Sequence, residues 1–226
     1  VEGMRQVSSD VAHDLRAPLN RLRLRLEAAA SEAGEDTSVA AELAAALDEA
    51  GRLDATFAAL LRIAQVEAGA RRDRFVPLDL ALVAARMAEA YGAVAEAAGQ
   101  TLALEARPAP AMGDPELLTQ GLANLVENAI RHAGPGARVT VGTAKGPAGA
   151  VLVVADDGPG IPKGDRERVL GRFVRLEASR TTPGTGLGLA LVKAVADLHG
   201  ARLSLEDAGP GLRVRLEFPP GGPRAR

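Results

Sequence analysis

"LTQGLANLVENAIRHA", residues 118–133, places Leu118, Leu122, Leu125, Val126, Ala129 and Ile130 on one side of a helical wheel. Asn124, Asn128 and Arg131 fall on the other side, at i, i+4 and i+7. The spacing predicts an amphipathic helix with one apolar face and one polar stripe. Asparagine is a mediocre helix former, so two on one stripe beside an arginine are better explained by a ligand than by propensity. The alternative is a solvated polar face.

Two glycine-rich stretches follow in order. "VVADDGPGIP", residues 153–162, reads as the end of a strand running into Asp156-Asp157-Gly158-Pro159-Gly160-Ile161. There the glycines permit close backbone approach and the acid can accept a hydrogen bond from an exocyclic amine; a tight turn is the alternative. "TTPGTGLGLALVKAVADLHG", residues 181–200, sets Gly184, Gly186 and Gly188 ahead of a helix. Free N–H groups and the helix dipole would then point at phosphate. The spacing matches neither the Walker-A pattern nor the dinucleotide fingerprint. Around these lie strand-like runs, "TLALEAR", "ARVTVGT", "AVLVVAD", "ARLSLED" and "LRVRLEF", interleaved with helical stretches near 79–98, 115–133 and 188–199. The pattern predicts an α+β domain, a mostly antiparallel sheet with helices on one face.

Upstream the texture is different: from Gln6 to Glu67 there are two glycines and one proline among many alanines, leucines, arginines and glutamates, a composition for long helices. "SEAGEDTS", residues 31–38, interrupts it, so two antiparallel helices are expected, with Asp36 or Thr37 capping the second. Leu43, Leu47, Leu53, Phe57, Leu60, Leu61 and Ala64 recur at helical spacings. A lone hairpin cannot bury them, and a second copy forming a four-helix bundle is the simplest partner. The expected layout is a helical hairpin over 1–67, a linker over 68–77, the α+β domain over 78–220 and a tail over 221–226, with "PPGGPRAR", residues 219–226, expected to be disordered. Helical patterning within a few residues of Val1 reads as a piece of a longer chain.

In the first helix Val11, Leu15, Leu19, Leu22 and Leu26 form the apolar stripe, with Leu24 off it and His13 opposite. Asp14 can steer the tautomer of the imidazole and raise its basicity, leaving one ring nitrogen as an exposed nucleophile. Pro18 offers no N–H to the carbonyl of residue 14, so a bend is expected beside His13. The bland alternatives are a surface histidine, a solvated acid and a tolerated kink.

Composition narrows the partners. Of 226 residues, 47% are hydrophobic and 25% charged, and the net charge is −2, ordinary values for folded soluble protein with no global field for nucleic acid or a bilayer. No apolar run reaches the ~20 residues of a membrane span, and residues 1–15 lack a signal's apolar core. There are no cysteines and three scattered histidines, which excludes disulfides and provides no zinc-ligand spacing.

The ordered set resembles sensor histidine kinases of two-component systems. "AHDLRAPL" is similar to their H-box, "NLVENAIRHA" to the N-box, "DDGPGI" to the G1 box, "RFVRL" to the F-box and "GTGLGLALVKAVADLHG" to the G2 box, in the family's order. Leu170 and Val174 stand where that family often has aromatics, although Phe173 remains, and His132 stands where a tyrosine is frequent. The resemblance implies a dimeric phosphotransfer hairpin followed by a two-layer α/β sandwich of the gyrase, Hsp90 and MutL type. It implies His13 as phosphoacceptor, assisted by Asp14, and ATP with Mg²⁺ as the cofactors. Asn128 would hold Mg²⁺, with Asn124 and Arg131 near the phosphates. Asp156 would receive the adenine amino group beside His132, Gly158, Gly160 and Ile161. Gly184, Thr185, Gly186, Leu187 and Gly188 would line the phosphates, and Arg175 would stand in a lid over about 163–183. His199, before Gly200, reads as a helix-end residue complementing the dipole rather than a catalytic one.

The implied partners are a second copy and a response regulator receiver domain, with no nucleic acid and no direct membrane contact. The implied setting is the cytosolic part of a longer sensor, membrane-anchored or not. Ala17 stands where the family often has threonine or asparagine, which implies weak phosphatase activity. Two rival readings remain. A gyrase- or Hsp90-type hydrolase would need a glutamate four residues before the metal-binding asparagine, where this chain has Asn124. A nucleotide-binding scaffold would need no phosphoacceptor.

Overall fold

The structure, a computed structural model, describes residues 24, 26–29, 37–68, 72–176 and 184–222. The chain divides into two compact units, Val1–Ala68 and Gly69–Arg226.

In the first unit residues 24 and 26–29 are helical, and helix α1 runs Thr37–Glu67. Leu24 is exposed, as its place off the stripe requires. Thr37 is the first described residue of this helix; Asp36, His13, Asp14, Ala17 and Pro18 lie outside the described residues. The stripe of α1 is only half covered in a single chain: Leu43, Leu47, Phe57, Leu60, Leu61 and Ala64 are half-buried and Leu53 is exposed.

The second unit is the α+β domain. Its strands are β1 Val76–Asp79, β2 Thr101–Ala106, β3 Pro110–Gly113, β4 Arg138–Gly146, β5 Gly149–Asp156, β6 Arg202–Asp207 and β7 Leu212–Glu217. Its helices are α2 Leu80–Ala97, α3 Pro115–Ala133 and α4 Gly188–His199. Five strands form one sheet in the order β2-β4-β5-β7-β6, with β2 parallel to β4 and every other pair antiparallel. Valines and leucines alternate into the core from β4, β5 and β7, at Val139, Val141, Leu152, Val154, Val214 and Leu216. They meet the apolar faces of α3 and α4, where Leu117, Leu122, Val126, Val192 and Val195 are each at most 1% exposed. The polar stripe of α3 is thereby turned away from the sheet.

Local chemistry sets the helix ends. Asp114 accepts from the N–H groups of Glu116 (2.9 Å) and Leu117 (3.2 Å) ahead of Pro115, an N-cap followed by proline at the first helical position. Asp79 accepts from Ala81 N–H (2.9 Å) to start α2 and from Ala109 N–H (2.8 Å) to tie down the entry to β3. Gly200 closes α4 in the left-handed conformation, φ 64°, which glycine adopts without a Cβ penalty.

Two expectations need correction. First, the stretch taken as linker enters the fold early: β1 pairs antiparallel with β3, Val76 opposite Gly113, and Phe75 stacks on His199 with ring centroids 4.5 Å apart. Second, His199 does not complement the dipole as a cation. It is completely buried. Its Nε2 accepts the Asp114 N–H at 3.0 Å, which leaves the proton on Nδ1, 2.7 Å from the Val195 carbonyl. Burial pushes its pKa down, against smaller upward pulls from the Val195 carbonyl and Asp114.

A pH dependence follows. A folded pKa below the unfolded value of about 6.5 means that the unfolded chain binds the proton more readily. The contribution is fully present above about pH 6.5 and is lost as pH falls toward the folded pKa. Urea unfolding at pH 7.5 and 5.5 should show a steeper loss for the wild type than for His199→Gln, which keeps an acceptor but does not titrate. Equal losses would remove His199 as the source.

Candidate functional site

The site is built where α3, the end of β5 and the start of α4 converge. On α3 the Asn124 Nδ2 donates to the Gln120 carbonyl at 2.9 Å, which aims its Oδ1 outward. A Cβ at Gly188 would lie 3.1 Å from that Oδ1 and 3.4 Å from Asn128 Nδ2. The first residue of α4 therefore abuts both carboxamides, and only glycine leaves the space between them clear. One turn further along, Arg131 reaches across to the loop, its Nη1 3.6 Å from where a Cβ of Gly184 would stand.

Leu187, the residue before α4, has a buried side chain that makes no capping hydrogen bond. The first N–H groups of α4, with the positive end of the dipole, face the same space as the amides, an arrangement that suits phosphate. Thr185 lies between Gly184 and Gly186 on this loop. Gly186 has φ 69°, and its carbonyl accepts the Phe173 N–H at 2.9 Å. A Cβ there would sit 2.9 Å from Phe173 C and 3.0 Å from the Val174 carbonyl oxygen. Backbone packing thus pins the segment around Phe173 to the glycine loop, with the Phe173 ring exposed.

At the other end of the site, Asp156 closes β5. Its Oδ1 accepts N–H groups from Gly158 (3.0 Å) and Leu212 (3.4 Å). Burial raises its pKa, while those two donors and His132 pull it down and Asp157 pushes it up. Gly158 is pressed against the end of α3, since its Cβ would be 2.5 Å from Ala133 Cα. Ile161 is held by its carbonyl, which accepts from Arg166 Nε at 2.9 Å. His132 is lowered by desolvation and then by Arg131, with Asp156 raising it and Arg175 lowering it. Those couplings put His132, Asp156, Arg131 and Arg175 in one electrostatic neighbourhood.

The structure brings Asn124 and Asn128 to Gly188, Arg131 to Gly184 and Gly158 to the end of α3, and couples His132 with Asp156, Arg131 and Arg175; His13 and Asp14 lie outside the described residues. Two contributors carry no motif: Leu212, through its N–H, and Gly211, which packs on the Asp156 backbone. The turn composition "AGPG" at 208–211 marks a turn but not what it touches.

Among the described residues no group of three or more His, Cys, Asp or Glu could hold a metal ion. Beside the start of α4 the described oxygen donors include the carboxamides of Asn124 and Asn128. A neutral amide beside a phosphate cradle fits Mg²⁺, which binds through one or two protein oxygens with substrate phosphates and water completing its shell.

Residues 113–222 match the family described as Histidine kinase-, DNA gyrase B-, and HSP90-like ATPase. Residues 4–69 match the His Kinase A (phospho-acceptor) domain. The chain is 32% identical over 218 residues to Sensor protein IrlS of Burkholderia pseudomallei, covering 95% of this chain and 47% of IrlS. Over 100 residues it is 48% identical to the signal transduction histidine-protein kinase/phosphatase MprB of Mycobacterium sp., 44% of this chain and 19% of MprB. The chain thus spans about half the length, or less, of these relatives. A solved structure of mycobacterial sensor histidine kinase MprB superposes with TM-score 0.59 at 33% identity, covering 66% of this chain and 100% of that one. A phosphoacceptor segment ahead of an ATPase domain, with a histidine kinase structure matched along its whole length, places the chain in the family of two-component sensor histidine kinases.

Proposed function

We propose that this chain transfers the γ-phosphoryl group of ATP to His13 and from there to an aspartate of a response regulator receiver domain. The observation that carries the reading is the meeting of the Asn124 and Asn128 amides with the start of α4 at Gly188. That space offers neutral oxygens, N–H donors and the Arg131 cation to a polyphosphate, while the Asp156 carboxylate 28 residues beyond Asn128 in sequence accepts the adenine amino group.

In this reading a ring nitrogen of His13 attacks the γ-phosphorus, the bond to the β–γ bridging oxygen breaks, and ADP leaves. Asp14 holds the proton on the other ring nitrogen and stabilises the imidazolium as it forms. Arg131, and Arg175 from the lid side, spread the charge of the transferring group. Mg²⁺, held by Asn128 and the phosphates, would neutralise charge that develops on the leaving oxygens. The half-covered stripe of α1 supports a homodimer through residues 1–67. No described helix is long and apolar enough to cross a membrane, and a cytosolic placement within a longer sensor belongs to the same proposal.

Incubation with γ-labelled ATP and Mg²⁺ tests the reading: label should appear on the protein, survive base and be lost in acid. Phosphate release without labelled protein would favour a hydrolase, a reading weakened by Asn124, whose carboxamide cannot take a proton from water. Nucleotide binding with neither outcome would leave a signalling scaffold.

Ala17 bears on the reverse reaction. It lies one helical turn after His13 in the predicted helix and has no group with which to hold water. Phosphorylated receiver domain should therefore decay at nearly its own rate when this chain and ADP are added, and Ala17→Thr should accelerate the decay several-fold. Brisk dephosphorylation by the wild type would show that Ala17 does not limit it.

A further inference from the structure

The turn between β6 and β7 lies outside every motif, yet it is packed directly beneath Asp156. Gly211 has φ 102°, and a Cβ on it would stand 1.8 Å from the Asp156 carbonyl oxygen and 2.8 Å from Asp157 Cα. From the other side Gly160 closes on it: a Cβ there would be 2.7 Å from the Gly211 carbonyl oxygen. Two backbone segments, the G1 stretch at Asp156–Asp157 and Gly160 and the turn at Gly211, thus touch without intervening side chains. This contact brings the next N–H, that of Leu212, to 3.4 Å from Asp156 Oδ1.

The turn is itself braced. The Ala208 N–H donates to the Gly211 carbonyl at 3.2 Å, and Asp207 accepts the Gly209 N–H at 3.0 Å. Arg166 then ties it to the G1 stretch, donating to the Ile161 carbonyl at 2.9 Å and to Asp207 Oδ2 at 3.4 Å. Because Gly158 and Leu212 both donate to Oδ1, the carboxylate is held in one rotation with Oδ2 left to accept from a ligand.

We propose that the β6–β7 turn, through Gly211 and its brace Arg166, is a positioning element for adenine recognition that orients the Asp156 carboxylate. It rests on the assignment of Asp156 to the adenine amino group. Orientation, rather than the carboxylate alone, then supplies the discrimination between a purine with an amine at this position and one with a carbonyl. A carbonyl would bring two acceptors face to face, and a site built around one hydrogen bond rejects the ligand that cannot make it.

The test measures dissociation constants of ATP and inosine triphosphate, with Mg²⁺, for the whole 226-residue chain and three variants. Asp156→Asn should collapse the preference for ATP; if it does not, the adenine assignment itself fails and the proposal falls with it. With that assignment standing, Gly211→Ala should lower the ATP-to-inosine-triphosphate affinity ratio about tenfold, and Arg166→Gln about threefold. Most of the change should be in ATP, because the lost contact serves only the amine. Damage to the fold would weaken both ligands alike. If Gly211→Ala does not fold, Arg166→Gln, which adds no atoms to the turn, decides the matter. Folded variants that keep the wild-type ratio, or lose both affinities equally, would overturn the positioning role while leaving the adenine assignment intact.

Discussion

The chain carrying His13→Gln is expected to show no protein-bound label from γ-labelled ATP, a loss of about a thousandfold or more, while binding ATP within twofold of the wild type. The first half follows from chemistry: a carboxamide nitrogen has no available lone pair, so the substitution removes the nucleophile rather than weakening it. The second half follows from the architecture. Residue 13 belongs to the first compact unit, and every residue assigned to the nucleotide belongs to the second. Label persisting on the variant would move the phosphoacceptor elsewhere. A loss of nucleotide affinity in step with label would mean that His13 contributes to the pocket.

Asn128→Ala is expected to remove the Mg²⁺-dependent part of ATP affinity, about thirtyfold or roughly 2 kcal/mol, the scale of losing an oxygen ligand or a hydrogen bond to a charged group. With chelator in place of Mg²⁺, variant and wild type should bind ATP alike. The fold should persist, because Asn128 lies on the half-exposed side of α3 and alanine is the better helix former there. A thermal midpoint equal to or above the wild type, together with lost Mg²⁺ dependence, is the expected pair of results. Unchanged Mg²⁺-dependent affinity would mean that the metal is held by other groups.

Much of this was legible along the chain because its physics is local. The helical stretch expected near 115–133 is α3, Pro115–Ala133, since helical spacing acts within a few positions. The same spacing puts Asn124, Asn128 and Arg131 on one stripe before any neighbour is known. The five long strands are likewise visible as runs of branched residues within a residue or two at the ends, β4 extending further. The small sheet is not. β1 and β3 are four residues each and each contains a proline, Pro77 and Pro110, too short for alternation to register. They exist because Asp79 is bonded to both Ala81 and Ala109 and because Phe75 finds the ring of His199.

By itself the sequence determined the kinds of element, the polar stripe of α3, the glycine loops and the order of motifs that identifies the family. Tertiary structure alone decided the charge of His199 and the setting of Asp156. At the end of a helix a histidine reads as a cation, but here an N–H from Asp114, 85 residues away, occupies Nε2 and burial makes the ionised form costly. Asp156 reads as a lone acid in a turn, yet the donor that completes its setting comes from Leu212, 56 residues later. Periodicity and capping report interactions a few residues long, whereas the state of a buried ionisable group depends on which distant backbone donors and low-dielectric surroundings the fold brings against it.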